Sequence, residues 1–221
     1  MTKIKEIIIF GTAGNAIDIA ETINEINDRL SKPIYTCIGF LDDDASKWGK
    51  KYAGIKVLGS LESAQKFPQA YFINGIGNDN NFIKKEAIIS QAKIPLKRFI
   101  TLQHPTSSVS KSAKIGFGTM IFQNATIASN VNIGNHVIVF PNAVISHEVK
   151  IADYANITGG ACISGRVSIE KSCYLGTNAC VKGDVVIGEY SLIGMGAVVI
   201  DDVPANSVMV GNPARFLKRV L

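Results

Sequence analysis

The second half of the chain carries an aliphatic residue at every sixth position. From residue 109 to residue 199, each of the sixteen positions at this spacing holds Ile, Leu or Val. A small or slim side chain follows four residues later, as at Ala125, Ala143 and Ala161. A period of six fits neither the 3.6-residue turn of a helix nor the two-residue repeat of a plain strand. It is typical of a solenoid built from short strands and tight corners.

Three such hexapeptides make one triangular coil, so the region predicts about five stacked coils of a parallel β-helix. The aliphatic residue at each repeat start is expected to face the axis, where successive coils bury one apolar layer on the next. We expect glycines such as Gly116, Gly134 and Gly176 to lie at corners that require a positive φ. Cys162, Cys173 and Cys180 fall within the repeat, where a reduced cysteine serves as a small apolar filler.

The first hundred residues predict a small Rossmann-like α/β domain. A near-continuous apolar strand, a Gly-rich turn and an amphipathic helix follow one another, which is how a parallel α/β unit begins. The pattern places strands at 4–10, 36–41, around 57, 70–75 and 97–100, and helices at about 15–30 and 80–92. A linker at His104 and Pro105 separates the predicted domains 1–103 and 104–221, and His104 is expected to support their junction.

Composition narrows the range of partners. Hydrophobic residues make up 47% and charged residues 19%, which is a globular composition. The net charge of +5 is not gathered into a basic patch, so nucleic acid is not an expected partner. A nucleotide or a coenzyme needs only a few local donors and stays compatible. The chain starts without a signal-peptide pattern and holds no long apolar run, so we expect a cytoplasmic protein.

A candidate ligand site follows the first two strands. The turn Gly11, Thr12, Ala13 and Gly14 lies at a helix N-terminus, where backbone N–H groups can face an anion. It lacks the G-x-G-x-x-G spacing, so NAD binding is not favoured, and a plain strand-to-helix connection is the alternative. Asp42 and Asp43 close the second strand. Their carboxylates can accept hydrogen bonds from ribose hydroxyls or a base, or can simply cap a following turn.

Two histidines lie in the repeat at positions that should point away from the axis. His147 is two residues past a repeat start and His136 three, so neither imidazole is expected in the core. Glu148 adjoins His147 and could orient its ring. An imidazole titrates near neutral pH and can act as a general base.

Several motifs together resemble the PglD-like and NeuD-like sugar acyltransferases over residues 4 to about 215. These motifs are GFLDDD after the second strand, IGND after the fourth, HPT in the linker, ISHE in the repeat and VGNPAR near the end. The resemblance implies a left-handed parallel β-helix and a homotrimer with acetyl-CoA in a groove between neighbouring solenoids. It also implies that the N-terminal domain holds a nucleotide-linked sugar, and it implies no metal.

The resemblance also assigns residue roles. His147 matches the general base and Glu148 the acid that orients it. The backbone N–H of Gly165 would face the thioester carbonyl, and Gly183 would admit the pantetheine arm. The substrate-binding set is Gly11, Thr12, Ala13, Gly14, Asn15, Asp42, Asp43, Gly77 and Asn78. The coenzyme-binding set is Asn156, Gly165, Thr177, Gly183 and Arg215. Asn15 and Asn156 replace histidines that many members carry. These replacements affect the expected identity of the substrate more than the expected type of reaction.

The sequence therefore predicts an acetyl-CoA-dependent N-acetyltransferase acting on a nucleotide-linked amino sugar, with the 4-amino group of a 4-amino-4,6-dideoxy sugar as the expected acceptor. One alternative is O-acetylation of a sialic-acid-type sugar, which the same base and groove would serve. A second alternative, from another class, is a non-catalytic nucleotide-binding trimeric scaffold.

Overall fold

The structure is a computed structural model that describes residues 4–220. Its first part is an α/β domain. The elements in chain order are β1 (Lys5–Phe10), α1 (Gly14–Asp28), β2 (Tyr35–Leu41), β3 (Lys51–Tyr52), β4 (Ile55–Lys56), β5 (Tyr71–Asn74) and α2 (Lys85–Ser90). Short 3-10 helices occupy Ala45–Lys47, Leu61–Lys66, Phe82–Lys84 and Leu96–Arg98.

The centre of this domain is a parallel three-stranded sheet in the order β2-β1-β5. The last four residues of β1, Ile7 to Phe10, are fully buried, since helices or the second domain cover both faces of the strand. Helix α1 packs on one face through Ala16, Ile19 and Ile23. Because all three strands are parallel, their carboxyl ends meet at one edge, which is where ligands bind in sheets of this type.

Two predicted elements differ from the structure. The helix expected at 80–92 is a 3-10 turn followed by the six-residue α2. The strand expected at 97–100 is wrong. Pro95 precedes a 3-10 helix over Leu96–Arg98, and only a single bridge joins Phe99 to Phe72 of the sheet.

The second part is a parallel β-solenoid of about six turns with three flat faces. Face A has eight strands, face B six and face C five. Face A comprises β6 (Leu102–Gln103), β9 (Met120–Ile121), β12 (Ile138–Val139), β15 (Asn156–Ile157), β18 (Tyr174–Leu175), β21 (Leu192–Ile193), β23 (Ser207–Val210) and the antiparallel β24 (Arg215–Arg219).

Face B comprises β7 (Ser108–Val109), β10 (Thr126–Ile127), β13 (Val144–Ile145), β16 (Cys162–Ile163), β19 (Cys180–Val181) and β22 (Val198–Val199). Face C comprises β8 (Lys114–Ile115), β11 (Asn132–Ile133), β14 (Lys150–Ile151), β17 (Ser168–Ile169) and β20 (Val186–Ile187). The predicted fold class, a Rossmann-like α/β domain followed by a parallel β-helix, is confirmed. The solenoid sheet begins at Leu102, two residues before the predicted domain boundary.

The six-residue period sets the core. Each repeat start points inward, and Ile145, Ile163 and Val181 are at most 1% exposed. The expectation of a positive φ is wrong for Gly116, Gly134 and Gly176, although Gly118, Gly160 and Gly196 do adopt one. Positive φ occurs three residues past a repeat start, at positions such as Asn124, Asn142 and Asn178, where asparagine tolerates the left-handed region. Gly116 is needed for another reason, because a Cβ there would lie 2.6 Å from the Gly134 backbone of the next coil.

The outer surfaces of the three faces differ. Residues of face A that point outward, such as Met120 and Ile138, are buried because the α/β domain covers them and shares one apolar cluster with them. Face B points Val144, Cys162 and Cys180 outward, and all three are exposed.

The expectation that every cysteine of the repeat is a core filler is therefore wrong for Cys162 and Cys180. It holds for Cys173, which is fully buried in the solenoid core. Face C carries Lys114, Asn132 and Lys150 outward. Within residues 4–220, no helix has the length and apolar character needed to cross a membrane.

Candidate active site

A cavity of about 410 Å³ opens at the carboxyl edge of the three-stranded sheet. All nine residues predicted to bind substrate line it: Gly11, Thr12, Ala13, Gly14, Asn15, Asp42, Asp43, Gly77 and Asn78. The turn after β1 leads into α1, whose N-cap Ala13 offers no side-chain acceptor to the first-turn N–H groups. These groups and the helix dipole therefore favour an anionic ligand at this edge.

Asp42 is tied into the wall of the cavity. Its Oδ2 accepts hydrogen bonds from Thr12 Oγ1 at 2.6 Å and from Lys47 Nζ at 3.0 Å, and its Oδ1 accepts one from the Asp44 backbone N–H. Asp43 accepts a hydrogen bond from the Leu61 backbone N–H at 2.9 Å. Both aspartates therefore order the surrounding turns while lining the cavity. Lys47 also lines the cavity and was missed by the sequence analysis, because nothing in its local pattern distinguishes it from a surface lysine.

Gly77 lies at the cavity wall next to the solenoid. Asn15 Nδ2 donates to its carbonyl oxygen at 3.3 Å, and the Asn74 side chain holds the preceding residue, Ile76, through both its N–H and its C=O. Gly77 has a φ of +145°, a conformation that side chains with a Cβ rarely adopt. The IGND motif is therefore a fixed part of the cavity.

The second candidate region is the solenoid corner after face B. His147 Nδ1 lies 3.1 Å from Glu148 Oε2, and both side chains are about half exposed, at 51% and 53%. Glu148 is one of the corner residues with positive φ. The carboxylate can set the ring orientation, and within residues 4–220 Nε2 has no hydrogen-bond partner.

Gly165 lies one coil further along the same corner. A Cβ at this position would lie 2.7 Å from Nε2 and Cε1 of His147, so the imidazole rests over the Gly165 backbone. Within residues 4–220, the Gly165 N–H donates no hydrogen bond, whereas its neighbour Arg166 donates to the His147 carbonyl at 3.0 Å. Gly183 follows in the next coil, where a Cβ would lie 3.2 Å from the Gly165 carbonyl oxygen. The structure thus aligns His147, Gly165 and Gly183.

A charged pair that the sequence analysis missed extends this corner. Arg166 binds Asp184 through two hydrogen bonds, Nε to Oδ1 at 2.6 Å and Nη2 to Oδ2 at 2.8 Å. This pairing lowers the pKa of Asp184, with a smaller contribution in the same direction from His147. The signal was present in the sequence, since Glu148, Arg166 and Asp184 follow one another at intervals of eighteen residues.

Two predicted positions lie elsewhere. Thr177 is exposed at the corner between faces A and B, the opposite edge of face B from His147. Arg215 begins β24, an edge strand at the C-terminal end of face A, and is exposed. Within one subunit the structure does not bring either residue to the His147 corner.

Asn156 is also away from that corner. It lies on face A beneath the α/β domain, where it is fully buried and accepts a hydrogen bond from Lys85 Nζ at 3.0 Å. In this position Asn156 cannot reach a coenzyme at the His147 corner. It was predicted from a resemblance in spacing, which could not show that a second domain covers this face.

Neither repeat histidine lies in the solenoid core, as expected, but His136 is not at the solvent-exposed surface either. Its side chain points away from the axis, but it is only 2% exposed because the α/β domain covers it. Its ring stacks on Tyr154, with centroids 5.3 Å apart, and meets Phe99 edge-on at 4.5 Å. His104 agrees with its predicted place at the junction, where its Nε2 lies 2.6 Å from Glu25 Oε2.

Two parts of the chain match models of known protein families. Residues 6–89 match the PglD N-terminal domain, and residues 166–201 match the bacterial transferase hexapeptide (six repeats). The predicted resemblance is confirmed: the chain joins the PglD-type N-terminal domain to transferase hexapeptide repeats.

Individual relatives give the same picture. The chain is 32% identical over 119 residues to UDP-N-acetylbacillosamine N-acetyltransferase of Bacillus subtilis (strain 168). The match covers 53% of this chain and 51% of that protein, so the chain spans about half the length of the curated relative it matches.

Solved structures extend the likeness to nearly the whole chain. One is a mutant of perosamine N-acetyltransferase from Caulobacter crescentus, solved with CoA and GDP-perosamine, with a TM-score of 0.84, 21% identity and 98% of each chain covered. Another is the acetyltransferase domain of PglB from Neisseria gonorrhoeae FA1090 with acetyl-CoA, with a TM-score of 0.83, 24% identity and coverage of 97% and 100%. WeeI from Acinetobacter baumannii AYE has a TM-score of 0.80, 27% identity and coverage of 96% and 100%.

Proposed function

We propose that the chain is an acetyl-CoA-dependent N-acetyltransferase that acts on a nucleotide-linked amino sugar, with the 4-amino group of a 4-amino-4,6-dideoxy sugar as acceptor. The observation that carries the proposal is the His147 corner, where an acid-oriented imidazole rests over a glycine whose backbone N–H is free to bind an oxyanion. Three of the relatives named above support the same reaction class, since each is named as an acetyltransferase and two were solved with CoA or acetyl-CoA.

The chemistry needs one direct transfer. The amine nitrogen attacks the thioester carbonyl carbon, and the C–S bond breaks as the amide C–N bond forms. His147 Nε2 takes the proton that leaves the nitrogen, and the departing sulfur is released as the free thiol after protonation. The Gly165 N–H would stabilise the negative charge on the carbonyl oxygen in the transition state. A positioned base of this type contributes about 10² to 10⁴ in rate.

The cavity of the α/β domain is the proposed nucleotide-sugar site. Its helix N-terminus suits a diphosphate, whereas Lys47 is paired with Asp42 at 3.0 Å and its charge is compensated there. A volume of about 410 Å³ is within the range of small-molecule sites.

A homotrimer formed through face B would complete the active site. Face A is covered by the α/β domain and face C carries lysines, whereas the outward residues of face B include Val144, Cys162 and Cys180 without a charge. Around a threefold axis, one edge of a face meets the opposite edge of the neighbouring copy. Such packing would bring the His147 corner of one subunit towards the Thr177 corner of the next, beside the α/β domain.

The decisive test is release of free thiol from acetyl-CoA in the presence of a panel of acceptors. The panel holds UDP-, dTDP- and GDP-linked 3- and 4-amino sugars together with sialic acid. Thiol release with an amino sugar, and an N-acetyl product identified by mass spectrometry, supports the proposal. Release with sialic acid alone would support O-acetylation. If no acceptor causes thiol release although the protein is a folded trimer that still binds nucleotide, the result would support a non-catalytic scaffold.

A pair of variants tests the base. His147→Ala should lower kcat by about 10² to 10⁴ while the trimer persists in light scattering. Ser129→Ala is the matched control, because Ser129 occupies the same corner position one coil earlier and is also exposed. Equal activity of both variants and the wild type would exclude His147 as the base.

A further inference from the structure

A buried lysine joins the two domains behind the cavity. Lys85, the first residue of α2, is fully buried, and its Nζ donates to Asn156 Oδ1 on face A at 3.0 Å. Within residues 4–220, Asn156 Oδ1 is the one hydrogen-bond acceptor that the ammonium contacts, and no carboxylate pairs with it. Burial lowers the pKa of Lys85 well below its usual value.

The same asparagine abuts the cavity wall. A Cβ at Gly77 would lie 2.7 Å from Asn156 Oδ1 and 3.2 Å from its Nδ2, so the amide lies directly against the Gly77 backbone. On the other side, Asn15 donates to the Gly77 carbonyl at 3.3 Å. Gly77 is therefore held between the first turn of α1 and the solenoid.

This arrangement is costly for stability. In the described part of the chain, Asn156 Nδ2 and the neighbouring His136 Nδ1 are buried without hydrogen-bond partners. Buried polar atoms without partners and a buried amine without a counter-charge both oppose folding. Groups that break the usual rules of burial concentrate where function needs them. An apolar side chain at position 85 would cover the same surface at lower cost.

We propose that Lys85 and Asn156 are a positioning pair: their buried hydrogen bond fixes Gly77 against the solenoid and so sets the affinity of the cavity for the nucleotide-linked sugar, without touching it. This inference rests on the proposed function for its substrate. The hydrogen bond orients the Asn156 amide, and the amide determines where the Gly77 backbone can lie. Gly77 and Asn78 form part of the cavity wall.

The test compares four full-length variants. Lys85→Met and Asn156→Leu remove the hydrogen bond, whereas Asn156→Asp keeps an acceptor for Lys85. Glu86→Gln is the matched control, since it breaks the neighbouring interdomain ion pair of Glu86 with Lys171, at 2.7 Å, away from Gly77. Each variant is measured for KM of the nucleotide-linked sugar, KM of acetyl-CoA, kcat and melting temperature.

We expect Lys85→Met and Asn156→Leu to raise KM for the nucleotide-linked sugar about tenfold, which is the loss of affinity expected when one binding contact is displaced. The kcat and the KM of acetyl-CoA should be nearly unchanged. Asn156→Asp and Glu86→Gln should stay near the wild type. The melting temperature of Lys85→Met should equal or exceed that of the wild type. An unchanged KM in Lys85→Met, with the wild type active, would overturn the positioning role and leave the proposed function intact.

Hydrogen exchange tests the role without any substrate. In ligand-free protein, the amides of residues 76–78 should exchange about tenfold faster in Lys85→Met than in the wild type, and not in Glu86→Gln. Equal exchange in all three proteins would contradict the inference even if the protein transferred no acetyl group at all.

Discussion

Replacing His136 with phenylalanine should remove part of the loss of folding stability at low pH. His136 lies where the two domains meet. Burial lowers the pKa of His136 to about 4, with a smaller contribution in the same direction from Lys85, while Asp153 opposes the shift. A free histidine has a pKa of about 6.5. Between these values the unfolded chain binds a proton that the folded protein excludes, so stability falls as the pH falls. His136→Phe keeps a planar ring between Phe99 and Tyr154 and cannot titrate.

The magnitude follows from proton linkage. With a folded pKa of about 4 and an unfolded pKa of about 6.5, the His136 term lowers the free energy of unfolding by about 2 kcal/mol at pH 5 and about 3 kcal/mol at pH 4, relative to pH 8. Above pH 7.5 the term is close to zero. Any packing difference between phenylalanine and histidine is independent of pH and cancels in the comparison.

The assay is urea unfolding of the wild type and His136→Phe at pH 8, 7, 6 and 5. The difference in free energy of unfolding should be constant between pH 8 and 7, and it should then move by about 2 kcal/mol in favour of the variant by pH 5. Parallel pH profiles for the two proteins would show that the imidazole charges as freely in the folded state as in the unfolded chain, and would refute the reasoning.

Three further predictions concern the solenoid. Gly165→Ala should lower kcat at least tenfold in the thiol-release assay, because a Cβ would lie 2.7 Å from the His147 ring and displace it. An unchanged kcat would show that this contact does not matter for catalysis. Cys180→Arg should convert the proposed trimer to monomers in light scattering, because it would bury a charge in each face B interface. A trimer that persists would show that the interface lies elsewhere. Cys173, whose pKa burial raises to about 12, should react with a thiol reagent only after unfolding, and rapid labelling of the native protein would contradict its burial.

The repeat explains why so much of the solenoid could be predicted. A strict period assigns every residue to an inward or an outward position, so the burial of Ile145 and the exposure of His147 follow from counting. The cavity could be predicted for a similar reason, because parallel strands end at one edge and Gly11, Asp42 and Gly77 each follow such a strand.

The sequence could not show which outward face a second domain covers. His136 points away from the axis, as predicted, and so does Asn156; both are buried because the α/β domain packs on face A. Lys85 was missed for the same reason: in the sequence it is one of two adjacent lysines on a polar stretch, and only the packing of α2 on the solenoid buries it. The predicted strand at 97–100 failed because Pro95 initiates a 3-10 turn that no alternation of side chains reveals.

Met120, Phe122 and Ile138 belong to the same apolar cluster as Ile7 and Ile9 of the three-stranded sheet. One of the two apolar clusters of the N-terminal domain is therefore completed by the solenoid, whereas the other is formed by the domain's own buried residues. Replacing this domain with the N-terminal domain of a related protein would therefore require replacing the outward residues of face A as well.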